Sequence, residues 1–274
     1  MTKATVAADR MWSAERSDLP ITAAYGGHYF SARQAIWFDA LRSTLPRNLE
    51  TRQLALASLI QAASQCAASP GHTAQPFQPT LTARKFLFES WHKDVLFHTK
   101  RNLILLAGLA AKQKGRALRA DANLLADDLS PGDLVFIDPP YSGVHYSRFY
   151  HVLESIASGK PGTVSGIGRY PENNKRPRSR YSIQTQASNA IEHLLRTTAN
   201  KGAKVVLTFP DHECSNGLSG DQVQSIASQY FNTKRKVVSS RFSSLGGTSD
   251  QRGDQAGRDA RLNAHELILL LTPR

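Results

Sequence analysis

The spacing of apolar residues changes several times along this chain, and each change predicts an element. Residues 1–24 mix alanine, charged and polar positions with no sustained period, so residues 1–28 read as a loose leader or appendage. After Tyr25-Gly26-Gly27-His28-Tyr29-Phe30, Ser31 is a suitable N-cap for a helix carrying Ala35, Ile36, Phe38 and Leu41. Gln53 to Ala68 is rich in alanine and leucine and predicts a mostly buried helix that closes at Ser69-Pro70-Gly71. Residues 72–83 lack a period and contain Pro76 and Pro79, which suits an extended connector. From Arg84 to Lys114 the helical spacing returns, and Gly108 reads as an interior helix glycine, not as part of a cofactor loop.

The second half changes character. Gly115 to Ala120 predicts a short strand, Asp121 to Asn123 a turn, and Leu124 to Leu129 a helical turn broken by Pro131-Gly132. Leu134-Val135-Phe136-Ile137 is a continuous apolar run, the pattern of a fully buried strand. His151 to Ile156 reads as a short helix, and Ser182 to Asn200 as an amphipathic one with Ala187, Ala190, Ile191, Leu194 and Leu195 on one face. Ala203 to Phe209 is a second buried strand, so strand, helix, Gly202 turn and strand predict a parallel crossover. A helix over Gln222–Tyr230 and strands over Lys236–Ser240 and Glu266–Leu271 complete an α/β pattern.

Composition narrows the class. At 274 residues the chain is long enough for one large domain or two small ones. The net charge of +12 points to a polyanion or an acidic partner. Two cysteines, Cys66 and Cys214, are too few for a disulfide framework or a thiolate metal site and suit a reducing cytoplasm. No apolar run approaches a membrane span and no signal-peptide core is visible, so the expectation is an intracellular protein with no membrane contact. Lys160, Arg169, Lys175, Arg176, Arg178 and Arg180 face a single acid, Glu172, in a Gly- and Pro-containing stretch. Such a stretch is expected to stay open until phosphates arrive; a solvated loop is the plainer alternative. Ser243 to Asn263, with Arg252, Arg258 and Arg261, offers a second basic loop.

The candidate chemistry sits at the end of the first buried strand. Pro139 and Pro140 cannot continue a ladder, so Asp138 is held at the carboxyl edge of the sheet, where α/β proteins bind ligands. The Asp138 carboxylate, the Pro139 carbonyl and the Tyr141 ring could grip a planar group bearing an NH2. Asp138-Pro139-Pro140-Tyr141 and its continuation Ser142-Gly143-Val144-His145-Tyr146-Ser147-Arg148-Phe149-Tyr150-His151-Val152-Leu153-Glu154 resemble the D12 class of N6-adenine-specific DNA methyltransferases. The Tyr29-Phe30 entry and Phe38-Asp39-Ala40-Leu41-Arg42 are similar to the same class.

This resemblance implies a partial class I (Rossmann-like) S-adenosylmethionine-dependent methyltransferase sheet over 115–274, with a helical target-recognition insertion over 29–114. It implies transfer of a methyl group from S-adenosylmethionine to N6 of a flipped-out adenine in DNA, as in restriction or defence systems. Asp138, Pro139, Pro140 and Tyr141 would be catalytic, with Asp121, Ala122 and Asp138 on the cofactor, although Asp121 also reads as a plain N-cap. Tyr146, Arg148, Tyr150, Arg169, Lys175, Arg176, Arg178, Arg180 and Arg252 would meet the nucleic acid. The family's glycine loop and following acid have no counterpart in residues 1–28, and the chain offers four or five of seven expected strands. A split enzyme follows, with a second polypeptide or a homodimer contact supplying the rest; a fragment of a longer product is another origin. The alternatives are a silent DNA-binding relative and an RNA adenine methyltransferase.

Overall fold

The computed structural model describes residues 2–109, 111–240 and 264–274. Arg252 and its basic loop therefore lie outside the described residues. The chain forms two compact units: Met1–Gly115 with Ser147–Arg176, and Arg116–Tyr146 with Pro177–Arg274. Residues 147–176, expected in the catalytic core by sequence continuity, thus pack with the helical unit.

In the helical unit, the expected loose leader is instead two helices, α1 (Lys3–Ala14) and α2 (Pro20–Tyr25). Thr2 and Thr5 form a reciprocal capping box at the start of α1, and Pro20 opens α2 where no N–H partner is needed. Gly27 explains why α1 stays close: it has φ 72°, and a Cβ there would lie 2.6 Å from the Arg10 backbone nitrogen. Arg10 Nε donates to the Gly27 carbonyl at 2.8 Å.

Ser31 caps α3 (Ala32–Ser43) as expected, with Gln34 closing the box. α4 (Leu49–Cys66) buries Leu59, Ala62, Ala63 and Cys66. The next helical stretch is broken into α5 (Arg84–Trp91) and α6 (Val95–Ala107), and Gly108 is the C-cap of α6, not an interior residue. α8 (Ser147–Ser158), reached after α7 (Ala122–Leu125) of the other unit, adds Val152 and Ile156 to a core built on Tyr25, Tyr29, Phe30 and Phe38. A two-residue hairpin, β2 (Val164–Ser165) and β3 (Tyr170–Pro171), follows it.

Two residues of the Phe38–Arg42 string fasten this unit. Buried Asp39 accepts from Ile21 N at 3.0 Å, Thr22 N at 2.8 Å and Thr22 Oγ1 at 2.7 Å, so it serves the bare amino end of α2. Arg42 donates to the Ile156 and Ala157 carbonyls at the end of α8. Asp39→Ala is expected to cost about 3 kcal/mol, since it strands buried backbone donors. Trp12, Trp37 and Trp91 all lie in this unit, so tryptophan fluorescence during urea unfolding of the full chain measures that loss.

The second unit is a mixed α/β layer. Its sheet runs β1 (Leu134–Ile137), β4 (Lys204–Pro210), β6 (Ala264–Pro273), β5 (Phe231–Ser240). β1 and β4 are parallel, joined through α9 (Gln184–Asn200); β6 inserts antiparallel between β4 and β5. The predicted strand over Gly115–Ala120 is not formed: that stretch has no regular structure and is exposed. Among the described residues no strand pairs with the outer edge of β1, so nothing there could fix residues 115–120 in a ladder.

Alternation decides which face is covered. Val205, Leu207, Phe209, Leu267, Leu269 and Leu271 point into the core with α9 and α10 (Gly220–Tyr230). The other face carries Leu134 and Phe136, which are 71% and 66% exposed, beside half-exposed Leu270. The expectation that β1 is buried on both faces is therefore wrong: only Ile137 is buried, and among the described residues of this unit no layer covers the second face.

Candidate active site at the carboxyl edge of the sheet

The site begins where β1 stops. Asp138 follows Ile137 out of the ladder, and the register Ile137↔Leu207 brings it beside Thr208 of β4. Thr208 Oγ1 donates to Asp138 Oδ1 at 3.0 Å. Pro139 is buried and Pro140 partly so, which fixes the turn, and the Tyr141 ring packs against the core of this unit. Asn216, wholly buried in the turn after β4, donates to the Pro140 carbonyl and the Tyr181 carbonyl, each at 3.0 Å.

A cavity of about 760 Å³ opens at this turn. Its walls are the edge of β1, the segment Arg119–Leu129 and the segment Pro177–Tyr181, with Leu194 and Thr198 of α9 behind them. Asp138, Pro139 and Pro140 line one end, Asp121 and Ala122 another. Such a volume suits a ligand the size of a nucleoside derivative.

Asp121 is the N-cap of α7, accepting from Asn123 N at 2.9 Å, and it also pairs with Arg180 at 3.0 Å. Both partners are near half exposed, so this pair adds at most about 1 kcal/mol. Buried Asn123 anchors the turn by donating to the Ala190 carbonyl and accepting from Tyr181 Oη at 2.6 Å. Burial, and then the charge of Asp121, raises the Tyr181 phenol above its ordinary range, so this hydroxyl stays a donor. At the far side of Asp138, the Glu266 carboxyl is raised by burial and then by the Asp138 charge.

The basic residues separate into two groups. Arg178 and Arg180 line the cavity, together with Arg119, which no sequence pattern marks out. Tyr146 is the last residue of its segment in the same unit. Arg148, Tyr150, Arg169, Lys175 and Arg176 belong to the helical unit. The part of the stretch expected to stay open that ends at Arg176 is built into that unit: Arg169, at φ 49°, donates to the Ala24 and Ala23 carbonyls at 2.7 and 3.2 Å. Arg148 and Arg176 both stack on Tyr170, Arg176 also donates to the Pro171 carbonyl, and Lys175 pairs with Glu172 on the surface. Tyr150 is exposed on α8.

Thr208, Asn216 and Glu266 were not found from sequence. An alternating-face argument on β4 would have pointed to Thr208, and the Asn216-Gly217 turn after a buried strand would have pointed to Asn216. Among the described residues no cluster of side chains could hold a metal ion, and no helix is long and apolar enough to cross a membrane.

Known proteins similar to this chain are modification methylases. Modification methylase LlaI of Lactococcus lactis subsp. lactis is 32% identical over 143 residues, 52% of this chain and 21% of that protein. Type II methyltransferase M.NlaIII of Neisseria lactamica is 36% identical over 81 residues, 28% of this chain and 22% of its own length. Type II methyltransferase M.FokI of Planomicrobium okeanokoites is 36% identical over 78 residues, 27% and 11% respectively. The chain spans about a fifth or less of the length of these curated relatives. No solved structure matches it. The family description that matches residues 27–209, a range containing both the Tyr29-Phe30 entry and the Asp138–Tyr141 turn, is the D12 class of N6 adenine-specific DNA methyltransferases, and the chain belongs to that family.

Proposed function

We propose that this chain carries the catalytic residues for methyl transfer from S-adenosylmethionine to N6 of adenine in DNA, in a restriction-modification setting. The observation that carries this reading is that Asp138, Pro139 and Pro140 of the turn line a cavity that also presents Asp121 and Ala122, while Tyr141 packs against the core beside it. The residues present fit the adenosyl part of S-adenosylmethionine. The apolar walls at Leu125, Ala126, Val135 and Ile137 suit a purine, and a carboxylate has about four acceptor sites, so Asp121 can accept an amino group besides Asn123 and Arg180. When bound, S-adenosylmethionine supplies the electrophilic methyl group.

The chain's own residues do the rest. The adenine amino nitrogen is a poor nucleophile because its lone pair is shared with the ring. Accepting its two hydrogens at the Asp138 carboxylate and the Pro139 carbonyl localises that lone pair on nitrogen. The Tyr141 ring stacks on the base, and the methylated nitrogen sheds its proton afterwards, so positioning and electrostatics carry the rate. A stacked adenine cannot reach such a site, so base flipping is required. Arg178, Arg180 and Tyr146, with Arg148, Tyr150, Lys175 and Arg176 of the helical unit, are the proposed DNA contacts. Arg169 is left out because its guanidinium is engaged by backbone carbonyls. A chain with only two cysteines, Cys66 and Cys214, suits a cytoplasmic setting.

That no strand pairs with the outer edge of β1 among the described residues supports a split enzyme. An unpaired strand edge with Leu134 and Phe136 beside it is a surface that proteins normally cover. A second polypeptide that brings the glycine loop and adds strands at this edge would complete a Rossmann-like sheet and the methionine end of the cofactor site. The experiment is transfer of labelled methyl from S-adenosylmethionine to adenine-containing duplex DNA, by this chain alone and with the product of the adjacent gene. Transfer only in the presence of the second product is the expected result. DNA binding without transfer in either preparation would instead support a silent DNA-binding relative, a reading favoured by the missing glycine loop. Preference for RNA over duplex DNA in the same assay would redirect the substrate.

A further inference from the structure

Building on the methyl-transfer reading above, we propose that Thr208 and Asn216 are positioning residues that hold the Asp138–Tyr141 turn so that two acceptors, Asp138 Oδ2 and the Pro139 carbonyl, are left to meet the adenine amino group.

The argument starts from acceptor count. A free carboxylate can turn about its bond and offer either oxygen, and a Pro-Pro turn exposes two carbonyls of similar reach. A site for one NH2 group needs one acceptor of each kind, in a fixed direction. Thr208 bears on the first ambiguity: its hydroxyl donates to Oδ1 at 3.0 Å, so that oxygen is engaged and Oδ2 is the one left to accept. Asn216 removes the second, because its amide takes the Pro140 carbonyl at 3.0 Å. Among the described residues no donor reaches the Pro139 carbonyl.

The holding side chains are themselves held. Asn216 is fully buried, and its remaining groups are satisfied by the Tyr181 carbonyl and by Leu218 N at 3.2 Å. Ser215 Oγ accepts from Gly143 N at 3.0 Å just past the turn, so the segment after β4 holds the motif at Pro140 and again just beyond Tyr141. Thr208 sits on β4 opposite Ile268 of β6, which places Glu266 on the same face one pair further along. The Asp138 carboxylate reaches Thr208 through the bond at Oδ1. A buried amide and a strand hydroxyl, 70 or more residues away in sequence, thus pre-organise a motif that a bare turn would leave loose.

Thr208→Val keeps the β-branched shape of a strand residue and removes only the hydroxyl; Thr208→Ser keeps the hydroxyl. Two readouts separate this proposal from the reaction it serves. The first is the side-chain carboxyl carbon resonance of Asp138 in the full-length chain, assigned by its loss in Asp138→Asn. It is expected to move in Thr208→Val and stay in Thr208→Ser; no movement in Thr208→Val overturns the proposal whatever the activity. The second is methyl transfer in whichever preparation of the wild-type chain is active. There, kcat in Thr208→Val is expected to fall about tenfold, the size of one hydrogen bond to a charged group, with KM for S-adenosylmethionine unchanged and Thr208→Ser restoring the rate. A shifted resonance with unchanged kcat overturns the positioning role and leaves the methyltransferase reading intact. A wild-type chain inactive in every preparation overturns that reading, and this role in the reaction falls with it, even where the resonance confirms the bond.

Discussion

Asp138→Ala is expected to lower methyl transfer by about 10²- to 10³-fold, the loss typical of removing one pre-organised polar group from a reacting centre. The side chain is exposed at the end of β1 and contributes one hydrogen bond, from Thr208, so the fold should hold with a change within about 0.5 kcal/mol. The comparison with Asp138→Asn sharpens the result. Asparagine retains an acceptor oxygen, which can take the Thr208 hydroxyl or the adenine amino group but not both in the geometry of the carboxylate. An intermediate rate for Asp138→Asn, between wild type and alanine, is therefore expected under saturating S-adenosylmethionine. Methyl transfer by Asp138→Ala within threefold of wild type would falsify the assignment of this carboxylate to the amino group.

The parts of this molecule that sequence made legible are those governed by local chemistry. Continuous apolar runs located β1 and β4, the Ser31 cap opened α3 where expected, and the Asp138–Tyr141 motif marked the end of a strand. What sequence missed depends on partners distant in the chain. The helix α1 mixes charged, alanine and apolar residues, buries only Val6 and Ser13, and is seated by the glycine pair at 26–27. The stretch Gly115–Ala120 has a strand-like composition but no neighbour to pair with. The run of arginines suggested an open loop by charge alone, yet Arg169 is tied to the carbonyls of α2 and Arg148 and Arg176 lie on Tyr170. At the site, the motif was readable because it is contiguous, whereas Thr208 and Asn216 reach it through strand register and a returning turn. A four-residue apolar run also cannot show whether one or both of its faces are covered, and β1 turns out to be covered on one.

Acidification is expected to destabilise the helical unit steeply between about pH 6.5 and pH 4. Burial, reinforced by the charges of Arg10 and Arg169, pushes His28 down to about 3. Burial also takes His151 down to about 4, against the pull of the Gly168 and Arg148 carbonyls on its ring nitrogens, and with Arg176 and Arg148 adding to the depression. Tyr25, Tyr29 and Tyr170 pack around the same ring. Both histidines are thus neutral in the folded chain through a range where the unfolded chain takes up protons near pH 6.5. In that window the unfolded state binds more protons, so unfolding free energy rises with pH and is lost as pH falls. Each depressed unit corresponds to about 1.4 kcal/mol, so the two together remove roughly 3–5 kcal/mol by pH 4.5. Asp39 works in the opposite direction, since burial raises its carboxyl above the ordinary carboxylate range. Tryptophan fluorescence follows this unit alone, because Trp12, Trp37 and Trp91 all reside in it. The midpoint of thermal unfolding should drop progressively from pH 7 to pH 4.5, and His28→Asn should flatten the slope by removing the more strongly depressed group. A midpoint independent of pH across that range would show that neither imidazole is kept neutral by the fold, and the packing of α1 against the Gly27 turn would then have to admit water to His28.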